Sequence, residues 1–62
     1  MSVYFIHAEA VLSSGGVAER IGKVVEASDA FVAENKFLYD EDVMRLTRQG
    51  ISVVIDKFER VE

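Results

Sequence analysis

Cysteine is absent from this chain, and so are proline and tryptophan. Without thiols there is neither a disulfide framework nor a thiolate metal site. A single histidine, His7, leaves any metal site to carboxylates, which favour hard ions that keep part of their water. Without proline, nothing in the middle of the chain forces a helix to break. Basic residues are also few: 7 Lys and Arg against 11 Asp and Glu leave a net charge of −4, which works against unspecific attraction to nucleic acid or anionic membrane. No apolar run approaches the ~18–20 residues of a membrane span. Glu9 interrupts the first apolar stretch, and Met1-Ser2-Val3 lacks the basic region of a signal peptide. A cytoplasmic protein is expected, and small size with acidic charge would fit a phage or other mobile-element origin.

What is present argues for one globular domain over 1–62, since 50% of the residues are hydrophobic. That length is near the lower limit for a chain that folds without disulfides or metal, and oligomerisation is the remaining common support. The strand-like segments agree, because they are apolar on both sides. In the first of them Tyr4, Ile6, Ala8, Ala10 and Leu12 form one alternating row, while the opposite row still carries Val3, Phe5 and Val11. A domain of this size has material to cover one face of a sheet and hardly two.

Ser13-Ser14-Gly15-Gly16 is the turn-rich cluster, and glycine there supplies the positive φ of a tight hairpin. A four-residue loop sets Leu12 opposite Val17, Ala8 opposite Ile21, Phe5 opposite Val24 and Tyr4 opposite Val25. Glu9 then meets Arg20 as a favourable cross-strand pair. At Ser28-Asp29 the pattern turns helical: Ser28 suits an N-cap, Asp29 the first turn, and Ala30, Ala33 and Phe37 form a stripe. A second start follows at Asp40, with Glu41 and Asp42 in its first turn and Val43, Leu46 and Thr47 facing inward. Arg45 and Arg48 fill the last turns, and Gly50 suits the left-handed position beyond them. Residues 29–49 can form one kinked helix or two. The β-branched run from Ile51 to Glu59 is a last strand.

Connection rules assemble these elements. The last strand runs antiparallel to the first, and a right-handed crossover gives strand order 2-1-3. The expected fold is α+β, a two-layer ββαβ domain with one kinked or two short helices on one face of a three-stranded sheet. The helix-facing row is Tyr4, Ile6, Ala8, Ala10, Leu12, Val17, Ile21, Val25, Ile51, Val53 and Ile55. On the other face Val3, Phe5, Val11, Val24, Val54 and Phe58 make an apolar patch, the expected protein interface, with His7, Glu9, Ala18, Arg20 and Asp56 among them.

No residues combine into a catalytic, metal or cofactor site. His7 is best satisfied by a neighbouring carboxylate or water. The hydroxyls of Ser13, Ser14 and Ser28 have no base within reach. Gly15-Gly16 lacks the ending of a phosphate loop and precedes a strand. Asp40-Glu41-Asp42 diverge around a helix start, where capping accounts for them. The expectation is a non-enzymatic protein–protein interaction or regulatory protein, homo-oligomeric through its sheet, without cofactor or membrane contact. The alternative is nucleic-acid binding through Arg45 and Arg48, which share a helix face.

Overall fold

Period-2 alternation from the second residue onward builds the central strand of the sheet. The computed structural model describes all of residues 1–62. Its elements are β1 (Ser2–Val11), β2 (Val17–Ala27), α1 (Ala30–Leu38), α2 (Glu41–Arg48) and β3 (Ser52–Arg60). The sheet order is β2-β1-β3, with both outer strands antiparallel to β1. This is the α+β topology expected from the sequence.

Tyr4, Ile6, Ala8 and Ala10 are buried, and the first three join Ile21, Ala27, Ala33, Phe37 and Val43 in one core. Val25, Val53 and Ile55 pack at its margin. Both helices therefore lie on the even-numbered face of β1. No part of the chain crosses the other face.

Between β1 and β2 the register is the expected one from Ser2↔Ala27 to Ala10↔Glu19, including Phe5↔Val24 and Glu9↔Arg20. It then shifts, and Val17 pairs with Val11 rather than Leu12. Ala18 is the extra residue of a β-bulge, which moves Val17 into the row opposite the helices. Leu12 lies beyond the last pair, its N–H donating to the Gly16 carbonyl at 2.8 Å. Neither Leu12 nor Val17 joins the core, contrary to the sequence expectation; both are exposed at the hairpin end.

A second shift has a larger consequence. β1 and β3 pair as Ile6↔Phe58 and His7↔Lys57, then as Ala8↔Ile55, so Asp56 is an extra residue. One added residue reverses the faces of everything after it. Phe58 thus sits on the helix side, edge-on to Tyr4 at 5.7 Å between ring centres. The sequence pattern alone places it on the opposite face, where Lys57 stands.

The helical region is two helices. α1 is capped by Asp29, not by Ser28: its carboxylate accepts the Val32 N–H at 2.9 Å from an extended backbone. Ala30 becomes the first helical residue and is exposed, so only Ala33 and Phe37 of the expected stripe are buried. At α2 the Asp40 carboxylate accepts the Asp42 N–H at 2.9 Å, as the sequence indicates. The helix closes with Gly50 at φ +78°, its N–H on the Thr47 carbonyl and the Ile51 N–H on that of Leu46. Two such bonds satisfy carbonyls that the last turn leaves free. Thr47 faces outward, its hydroxyl donating to the Met44 carbonyl.

Candidate interaction surface

The open face of the sheet is built by alternate residues of three strands. β1 contributes Val3, Phe5, His7, Glu9 and Val11; Arg20, Gly22 and Val24 of β2 and Val54, Lys57 and Glu59 of β3 pair with them on the same side. Val24 is 70% exposed and Val54 52%, while Val3, Phe5 and Val11 are half-buried. Five of the six residues read from the sequence as an interface share this face. Phe58 does not, for the reason given above.

Phe5 is half-buried although no helix covers it. Its ring lies across Gly22, where an added Cβ would come within 3.2 Å of Cζ and 3.3 Å of Cε1. Glycine at this position leaves a shelf on which an aromatic ring can lie. Lys57 places its ammonium 5.9 Å from the ring centre, close enough for a cation–π attraction.

Charge crosses the middle of the face. The Arg20 Nε donates to Glu9 at 3.2 Å, and His7 Nδ1 lies 2.7 Å from Asp56 Oδ1. The bond from His7 holds the Asp56 carboxyl below its ordinary value of 3.8. His7 thus has the carboxylate partner its setting called for, and the bulge is what brings Asp56 to it. The face therefore has two apolar ends, Val3-Phe5-Val24 and Val11-Val17-Val54, separated by paired charges. Exposed ion pairs of this kind stabilise little, but they fix which side chains can face a partner.

On the helix side the charges have structural tasks. Lys23 bonds Asp42 at 2.7 Å and lies 3.6 Å from Asp40, tying β2 to the start of α2. Asp42 is consequently held below 3.8 by its bond from Lys23, and Lys23 is raised above 10.5 by the same bond. A lowered acid contributes stability that is complete above its unfolded value and is lost as pH falls through the folded one. A raised lysine contributes up to its unfolded value and loses it as pH rises further. Thermal midpoints followed by circular dichroism should stay level through neutral pH and fall below about pH 4. Asp42→Asn should lower the neutral midpoint slightly and soften that acid fall; an unchanged acid limb would show that the pair does not couple to folding.

Arg45 is drawn onto Glu19 of β2 at 3.2 Å, and Arg48 is exposed one turn further on. The structure adds two exposed aromatics that the sequence stripe did not single out, Phe31 and Tyr39, each 73% exposed. Phe31 is two residues from Ala33, so it lies about 200° around the helix from that buried position. That offset was the available signal.

No protein-family model, curated protein or solved structure matches the chain.

Proposed function

We propose that this protein is a small, acidic, non-enzymatic protein–protein interaction or regulatory module of the cytoplasm, homo-oligomeric through its sheet. One observation carries the reading: both helices lie on one side, and the other side presents Val3, Phe5, Val11, Val24 and Val54 to solvent or to a second copy. Size supports it. The molecule measures 38 × 18 Å in its two long directions, so its open face covers at most roughly 700 Å². Two such faces in contact would bury up to about 1,400 Å², which reaches the ~1,200–2,000 Å² of stable interfaces. Stacked sheets of this kind pack about 10 Å apart with their strands nearly aligned.

Nucleic-acid binding through Arg45 and Arg48 has less support, since Glu19 already neutralises Arg45. Sedimentation equilibrium should show self-association at micromolar concentration. Val24→Glu combined with Val54→Glu should weaken the face contact at least tenfold, and Arg45→Ala should leave it unchanged. A wild-type chain that stays monomeric throughout would defeat the proposal. Binding of an oligonucleotide that weakens by roughly one log unit per log of salt for each phosphate contact would favour the alternative.

A further inference from the structure

The two free edges of the sheet differ in how their charges are used. On the β2 edge Lys23 and Glu19 are already partnered by Asp42 and Arg45 of α2, and Ala18 bulges the strand. On the β3 edge Lys57 and Glu59 are ion-paired only with each other, at 3.5 Å along the strand, Lys57 also lying over the Phe5 ring, and no helix residue partners either.

The hydrogen-bond directions of β3 follow from its end. Val61 donates to the Val3 carbonyl at 2.8 Å and Val3 donates to that of Glu62 at 3.0 Å. Val61 therefore turns its N–H toward β1. In an antiparallel ladder the direction repeats every second residue, so Glu59 and Lys57 also face β1. Phe58 and Arg60 then turn their N–H and C=O groups to the open edge. Unpaired groups of this kind are a template for another strand.

The sequence of that edge is Asp56-Lys57-Phe58-Glu59-Arg60. Laid antiparallel on itself about Phe58, it sets each charge opposite one of the other sign. Lys57 and Glu59 both lie on the open face of the sheet, so they would meet their counterparts directly. Asp56 is turned toward His7 by the bulge, which leaves Lys57 and Glu59 to decide the register. Moving the axis by one residue either way sets Lys57 against Lys57 or Glu59 against Glu59, which is unfavourable. At the axis the Phe58 rings, each 37% exposed, would meet on the helix side. Covered there, they would extend the Tyr4–Phe58 contact across the boundary.

We infer that the β3 edge pairs antiparallel with the β3 edge of a second copy about a two-fold axis at Phe58, making one six-stranded sheet. The inference rests on the reading that copies meet through the sheet, and adds an edge contact to the face contact. Where the two-fold axes of the face and edge contacts cross at right angles, the two contacts together close a tetramer of two stacked six-stranded sheets.

Amide hydrogen exchange separates the two contacts, measured on the wild-type chain across a hundredfold range of concentration. The Phe58 and Arg60 amides should become protected at least tenfold as the chain associates. Lys57→Glu should abolish that protection, and the exchanged pair Lys57→Glu with Glu59→Lys should restore it. Association that leaves both amides unprotected would overturn the edge inference while keeping the face reading. Association with protection that survives Val24→Glu with Val54→Glu, at unchanged stoichiometry, would support the edge and remove the face. A wild-type chain that is monomeric at every concentration would overturn both.

Discussion

Replacing Phe37 by alanine is expected to leave little folded protein at physiological temperature. The ring is completely buried and is one of the three largest side chains in that state, with Ile6 and Val43. It anchors the middle of the molecule, where α1 meets the sheet. Removing a buried phenylalanine costs about 3–5 kcal/mol, part transfer energy and part cavity. A domain of 62 residues has roughly 3–9 kcal/mol in total, at about 0.05–0.15 kcal/mol per residue. The loss is therefore of the same order as the whole. Phe31→Ala, on the same helix but mostly exposed, should change stability by less than ~0.5 kcal/mol. Urea unfolding followed by circular dichroism compares the two directly. A Phe37→Ala midpoint close to wild type would mean that this ring does not seat α1 on the sheet.

The core was legible in the sequence because its signals repeat. The even row of β1 runs unbroken from Tyr4 to Ala10, and the Glu9–Arg20 pairing confirms the hairpin register that the Gly15-Gly16 turn suggests. Asp40 and Gly50 bracket α2 with strong, opposite preferences, and both occupy the positions those preferences describe. The two bulges were not legible. A bulge is one residue inserted without a required side chain, and Ala18 and Asp56 carry no mark that distinguishes them from ordinary strand residues. Asp56 announces itself only through His7, a contact between residues 49 positions apart. The start of α1 was ambiguous for another reason: Ser28 and Asp29 are both good caps, and only the approach of the chain from β2 chooses between them.

Both bulges fall on the surface where function is proposed. Had β3 been regular, Phe58 would join Phe5 on the open face. Instead the bulge brings Lys57 beside Phe5 and carries Phe58 to the helix side of the edge. The open face thereby becomes more polar at its centre, with apolar patches toward its ends. The aromatic side chain moves to where an adjoining strand could cover it. A surface divided in this way suits contacts that demand a register, since its charges oppose a displaced partner.

Adding volume at Ala8 should be nearly as damaging as removing it at Phe37. Ala8, Ala10, Ala27 and Ala33 are all completely buried, and Ala8 of the central strand shares one core with Ala33, Phe37 and Val43 of the helices, so at this point the strand offers the helix layer nothing larger than a methyl group. Ala8→Leu inserts three carbons where there is no space, and overpacking of this kind costs typically about 1–3 kcal/mol, occasionally more. The strand cannot yield, because β1 is paired on both sides through Ala8↔Ile21 and Ala8↔Ile55. The helix layer must lift instead, which would uncover Tyr4 and Phe37. Near-UV circular dichroism should report this through Tyr4 before the far-UV signal changes, and the urea midpoint should fall. Ala18→Leu, at the exposed bulge of β2, adds the same three carbons on a side with no layer above it and should be nearly neutral. Equal effects at the two positions would mean that the faces are covered alike; a large effect at Ala8 alone would show that small residues set the spacing of the covered face and that the other is open.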